Sequence, residues 1–234
     1  MAHSPIILAV DTSDFDTARA WVEATRESID VYKLGLEFFL TFGAEGIQTI
    51  AKESGAEIFL DLKLHDIPNT VKKAAGVVDH LHPRFLTVHA SGGAAMVAAA
   101  VSAVTTTSIT AVTVLTSLED SDLVDLGYAK ASLETAVKMA QVATNAGATS
   151  IVCSPLEIEA IRAVVPDSVA IITPGVRPVD EVGGDDQVRT MSPAQAMAAG
   201  ANYLVIGRPI TSRWAQGKTS MASRAAQLVD SINQ

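Results

Sequence analysis

The sequence predicts an α/β protein folded as a closed (β/α)8 barrel, and three observations predict it. Short apolar, β-branched runs alternate with stretches of helical spacing along the whole chain. The alternation repeats eight times with no shift in composition. The length, 234 residues, suits one compact barrel of about 250 residues. Residues 1–234 are therefore read as a single barrel domain.

Taken in order, Ile6 to Val10 is an apolar run ending at Asp11, and Thr12-Ser13-Asp14 behind it caps a helix. Phe15 to Ser28 has helical spacing through Ala18, Trp21, Val22 and Ala24. Val31-Tyr32-Lys33-Leu34-Gly35 is the second strand, with Lys33 inside it. A helix from Phe39 to Lys52 stops near Gly55, and Glu57 to Lys63 is the third strand. Pro68 and Asn69-Thr70 turn the chain into a helix running from Val71 toward His80. Phe85 to Ala90 is a strand, Gly92 to Ala103 a helix, and Ile109 to Leu115 the fifth strand, ending at Thr116-Ser117. A helix from Leu133 to Asn145 stops at Gly147. Ser150 to Ser154 is the sixth strand, Leu156 to Val164 a helix, and Val169 to Thr173 the seventh strand, broken by Pro174-Gly175-Val176-Arg177-Pro178. After a polar loop, Ala194 to Ala199 is a helix ended by Gly200, Tyr203 to Gly207 the eighth strand, and Arg213 to Ile232 the closing helix. Eight such units favour a closed TIM-type barrel over the alternative, an open doubly wound sheet.

Bulk properties exclude several classes. The hydrophobic fraction is 48% with 18% charged residues, yet no apolar run approaches the ~20 residues that cross a bilayer. Met1-Ala2-His3-Ser4-Pro5 lacks a basic start, and Ile6 to Val10 is too short for a signal core. The lone Cys153 forms no intrachain disulfide and fits a reducing cytoplasm. A net charge of −9 argues against nucleic acid, which wants a basic surface. No glycine-rich dinucleotide or nucleoside-triphosphate loop occurs.

The informative stretch is Asp61-Leu62-Lys63-Leu64-His65-Asp66-Ile67-Pro68-Asn69-Thr70. It continues the apolar run Ile58-Phe59-Leu60, and residues two apart on a strand share a face, so Asp61 and Lys63 point the same way. Three charges in six residues at a strand end are costly to bury and hard to explain by packing. A structural ion-pair network at the barrel floor is the bland alternative. In a parallel barrel the C-terminal strand ends form the ligand side. That rim carries Asp11, Lys33, Asp61, Lys63, His89, Thr116, Ser154, Thr173 and Arg208. Single members have modest readings: Asp11 as a helix cap, Thr116 and Ser117 as turn formers, His89 as a core histidine. His80 and His82 read as surface residues rather than metal ligands.

The loop from Val176 to Thr190 is long for a connection between strand and helix, contains Gly183, Gly184, Asp185 and Asp186, and resembles a lid. Phosphate sites in this fold use the connections after the seventh and eighth strands. Here these supply Arg177, Gln187 and Gly207-Arg208-Pro209. Arginine offers phosphate a bidentate fork, and glycine permits close backbone approach.

Asp-x-Lys-x-x-Asp completed by Ile67-Pro68-Asn69-Thr70 resembles the signature of the orotidine 5′-phosphate decarboxylase family. Metal-dependent sugar-phosphate relatives, a keto-gulonate phosphate decarboxylase and a hexulose-phosphate synthase, share only the first part. The resemblance extends to Asp11 in Leu-Ala-Val-Asp, Lys33 in Tyr-Lys-Leu-Gly, and Thr116 in Val-Thr-Val-Leu-Thr-Ser. It continues through Pro174-Gly175-Val176-Arg177-Pro178, Gln187 and Gly207-Arg208-Pro209-Ile210.

The resemblance implies roles. Lys63, Asp61, Asp66 and Lys33 would form the catalytic array. Asp11 and Lys33 would hold the ribose, and Thr116 would frame the pyrimidine. Arg177, Gln187, Gly207 and Arg208 would bind or cover the phosphate, with Ile67 and Pro174 also lining the substrate site. Asp66 and Thr70 would reach across a homodimer interface into the neighbouring site. The implied reaction takes orotidine 5′-monophosphate to uridine 5′-monophosphate in de novo pyrimidine biosynthesis, with no cofactor and no metal. The carbanion left at C6 has its lone pair in the ring plane, out of reach of the π system. A fixed ammonium at Lys63 would steady it and then supply the proton. Two alternatives stay open from the residues alone: enolate or aldol chemistry on a sugar phosphate, and a non-enzymatic barrel that binds a phosphate ligand.

Overall fold

The computed structural model describes residues 4–178 and 191–232. Eight strands close a barrel in the order β1-β2-β3-β4-β5-β6-β7-β8, every pair parallel. They are β1 (Ile6–Ala9), β2 (Val31–Gly35), β3 (Glu57–Leu64), β4 (Phe85–His89), β5 (Ser108–Val112), β6 (Ser150–Val152), β7 (Ala170–Pro174) and β8 (Tyr203–Ile206). Closure is made by β8 on β1, where Ile6 pairs with Leu204 and Leu8 with Ile206. The predicted (β/α)8 barrel is thus found.

Two packing faces follow from the strand period of two. Ile6, Leu8 and Val10 point outward into the large core shared with the helices, while Ile7, Val31, Phe59, Phe85 and Ile172 fill the barrel interior. Continuing each inward row toward the C-terminal ends replaces grease with polar groups. Val31 leads to Lys33, Phe59 to Asp61, and Phe85 to Thr87 and His89. An apolar layer therefore supports a polar mouth. The barrel floor is closed by a separate cluster, in which Arg84 bonds Glu57 and the Tyr203 hydroxyl and stacks 5.2 Å from the Phe85 and Tyr203 ring centres. The charges of the Asp61 stretch lie at the opposite end, so they are not the floor plug.

The helices are α1 (Phe15–Thr25), α2 (Leu36–Ser54), α3 (Pro68–Asp79), α4 (Gly93–Val101), α5 (Asp120–Asp125), α6 (Ser132–Asn145), α7 (Ile158–Arg162), α8 (Pro193–Ala198), α9 (Arg208–Thr211) and α10 (Lys218–Ile232). Asp14 caps α1 by accepting the Thr17 amide at 2.6 Å, and Pro68 opens α3. Several bounds differ from the sequence reading. α2 starts at Leu36, directly after β2, and is kinked at Gly43 (φ +62°). β5 ends at Val112, so Val114, Leu115 and Thr116 belong to the mouth. The short α5 and α9 were not expected, and the closing helix begins at Lys218 because Gly217 (φ +102°) interrupts the run from Arg213. Among the described residues no helix is long and apolar enough to cross a membrane.

Candidate active site

Four charged side chains of alternating sign line up across the ends of β1, β2 and β3. The Lys33 ammonium donates to Asp11 Oδ1 at 2.8 Å and lies 3.8 Å from Asp61 Oδ2. Lys63 Nζ contacts both Asp61 oxygens, at 2.8 and 2.9 Å. The array grades from solvent inward: Asp11 is 62% exposed at its side chain, Lys63 33%, Lys33 13% and Asp61 12%. A carboxylate this buried is tolerable only because two ammoniums and a hydroxyl satisfy it. The hydroxyl is that of Thr87 on β4, which donates to Asp61 Oδ1 at 3.0 Å.

Lys63 reaches Asp61 by a route that strand alternation does not describe. Its φ is +48°, a left-handed conformation uncommon outside glycine. The β3–β4 register shifts between Leu60, opposite Leu86, and Leu64, opposite Val88. The Lys63 amide, displaced from the ladder, donates instead to Thr87 Oγ1 at 2.8 Å. Thr87 thus anchors both the backbone of the lysine and the carboxylate that holds its head. Bulges and strained backbone of this kind gather at functional sites.

Two cavities share Asp11 and Lys33. The smaller, about 140 Å³, is bounded by Asp61, Lys63 and Gly35. The larger, about 1410 Å³, is lined by Thr116, Ser154, Pro174, Arg177, Gly207 and Arg208, among others. Charged head and cationic far end are therefore joined through one mouth, large enough for a nucleotide-sized ligand.

The remaining expected residues fall as follows. Asp66 is exposed and accepts its neighbour Ile67's amide at 2.6 Å, with no ion pair to Lys63 among the described contacts of this chain. It does not flank Lys63 from within the same chain, because the turn after β3 carries it outward. Ile67 and Thr70 are exposed beside it. Thr173, expected on the rim, is fully buried and donates to the Cys153 carbonyl at 2.8 Å. Gln187 and most of the expected lid lie outside the described residues. His89, read as a core histidine, sits half-buried at the end of β4 with its ring 5.3 Å from that of His65. Burial, then His65 and Lys63, hold its imidazole below the ordinary range and favour the neutral ring, against the opposing pull of Asp61. Thr87 and His65 were not singled out from the sequence. Their signal is cross-strand neighbourhood, which only the register supplies.

A closed barrel with a lysine–carboxylate array at its mouth and arginines after the last two strands defines a class, the (β/α)8-barrel enzymes that work on charged ligands. The model of the Orotidine 5′-phosphate decarboxylase / HUMPS family matches residues 4–219. The chain belongs to this family. It is 46% identical over 225 residues to the orotidine 5′-phosphate decarboxylase of Thermobifida fusca, covering 96% of each chain. It is 47% identical over 209 residues to that of Sphingopyxis alaskensis, covering 89% of this chain and 92% of the relative. The crystal structure of orotidine 5′-phosphate decarboxylase from Lactobacillus acidophilus superposes with a TM-score of 0.83 at 28% identity, covering 99% of this chain and all of that one.

Proposed function

We propose that the protein decarboxylates orotidine 5′-monophosphate to uridine 5′-monophosphate and carbon dioxide, as one catalytic barrel serving de novo pyrimidine synthesis in the cytoplasm. The observation that carries this reading is the Lys63 ammonium held by both oxygens of a buried Asp61 at the mouth of a nucleotide-sized cavity. The names of the similar proteins support the substrate, and the residues support the mechanism. With C6 set beside Lys63, the fixed ammonium offsets negative charge as the carbon–carbon bond breaks, with no reorganisation at that moment. It then gives C6 its proton. Asp61 and Lys33 keep the ammonium oriented. Arg177, Arg208 and the backbone at Gly207 take the phosphate, and Asp11 with Lys33 the ribose.

The active form is read as a homodimer. Asp66, Ile67 and Thr70 are exposed where β3 turns into α3, with Ile67 66% exposed, and Leu36, which borders the smaller cavity, is 47% exposed. Large apolar side chains left exposed beside a site favour a partner surface. A second chain would then bring its Asp66 to this Lys63.

Incubating the protein with orotidine 5′-monophosphate and measuring uridine 5′-monophosphate and carbon dioxide tests the reading. The reading expects both products, with turnover that survives exhaustive chelation. Absence of turnover with the folded dimer would sink it. Turnover of a sugar phosphate instead, lost on chelation and restored by magnesium, would assign the chain to the metal-dependent branch.

A further inference from the structure

His65 lies between Lys63 and Asp66 and has no part in the decarboxylation steps. β3 ends at Leu64, paired with Val88 on β4, and α3 is capped by Ile67, whose carbonyl accepts the Thr70 and Val71 amides at 3.0 and 3.2 Å. His65 and Asp66 alone span the interval. The bond from the Ile67 amide to Asp66 Oδ1 is local to the turn, so it fixes the turn's shape and not its place. His65 supplies a contact outside the turn. Its ring centre lies 5.3 Å from that of His89 with the planes tilted by 42°, within the range of aromatic pairs. Its Cδ2 also lies 3.2 Å from where a Cβ on Gly92 would stand, closer than side chains ordinarily pack, so the ring edge rests against bare backbone. That corner is firm. His89 closes β4 opposite Val112, Ala90 is buried, and the Gly93 amide donates to the Ala90 carbonyl. His65 is itself exposed, so the core does not hold its ring.

We propose that His65 is a positioning residue for Asp66. Its ring docks the turn after β3 on the corner between β4 and α4 of its own chain, so that Asp66 is presented at a fixed place to the Lys63 of a second chain. This rests on the reading that each site takes its Asp66 from the neighbouring chain. Without the ring the turn swings, while β3 and α3 keep their own bonds. The Lys63 of the same chain is held by Asp61 and Thr87 and does not depend on His65. The loss therefore falls on the acid a chain donates and not on the ammonium it keeps.

The test places His65→Ala on one chain at a time in mixtures of Lys63→Ala and Asp66→Ala chains. The one complete site of each heterodimer then takes Asp66 from the first chain and Lys63 from the second. Turnover of orotidine 5′-monophosphate is measured per heterodimer, counted by native mass spectrometry, with thermal midpoints recorded. On the Lys63→Ala chain, which donates Asp66, H65A is expected to lower kcat about tenfold, as misplacement of a catalytic group does. On the Asp66→Ala chain, which keeps Lys63, it is expected to change kcat by no more than about twofold. His65→Phe on the Asp66-donating chain keeps a flat ring against His89 and Gly92 and is expected to bring kcat back to within about threefold. Equal losses in the two arrangements, a loss confined to the Lys63-bearing chain, no loss in either, or no recovery with H65F overturns the proposal. If H65A chains do not fold, His65→Asn, which also lacks the ring, decides in the same two arrangements. Inactivity of the mixture carrying no change at His65, with heterodimers verified, would instead sink the shared-site reading on which the proposal rests.

Discussion

At the scale of single residues, Lys63 pairs an unusual backbone with an unusual side-chain environment, and Thr87 connects the two. Its φ of +48° costs of order 1–3 kcal/mol, offset by the bond from its amide to Thr87 and the double contact with Asp61. Asp66 gives the residue-scale prediction. Each site is proposed to combine Lys63 of one chain with Asp66 of the other, so Lys63→Ala and Asp66→Ala are each inactive alone. Equal mixing gives half heterodimers with one complete site in two, hence about a quarter of wild-type turnover. A mixture as inactive as its parents, with heterodimers verified, would argue for self-contained sites. Asp61, Lys63 and Lys33 were legible in the sequence because charge inside apolar strands has few packing explanations. Thr87 was not, because a buried threonine is ordinary until its neighbours are known.

At the scale of elements, alternation of periods located all eight strands, and the deviations have physical causes. The β3 bulge is invisible in a regular pattern of side chains. The four-residue α9 is too short for periodicity to register, and Gly217 cuts what reads as one long final helix. α3 is fastened at its far end by Asp79, whose carboxylate accepts from the Thr105 amide and hydroxyl at 3.1 and 2.9 Å and the Thr107 hydroxyl at 2.7 Å. Burial raises this carboxyl, but those bonds outweigh it, and the acid is held below its ordinary value. A lowered folded value adds stability above the unfolded pKa, and that stability is lost as pH falls through the folded one. Asp79→Asn should therefore cost about 1–2 kcal/mol at neutral pH, with the gap to wild type closing in acid. Chemical denaturation at a series of pH values measures this, and a gap independent of pH would contradict it.

At the scale of the whole molecule, the barrel sets an apolar interior layer beneath a polar mouth simply by extending each inward row by two residues. Chain segments far apart in sequence, from Asp11 to Arg208, meet there because parallel strands all point their C-terminal ends the same way. The net charge of −9 opposes an anionic ligand, so attraction depends on the cations gathered at the mouth, Lys33, Lys63, Arg177 and Arg208. The most direct measurement is turnover of orotidine 5′-monophosphate by Lys63→Ala, alongside its binding of uridine 5′-monophosphate and its thermal midpoint. Loss of at least about a thousandfold in kcat, with product still bound and the fold intact, is the predicted result. Turnover within about tenfold of the wild type would contradict a catalytic ammonium at Lys63.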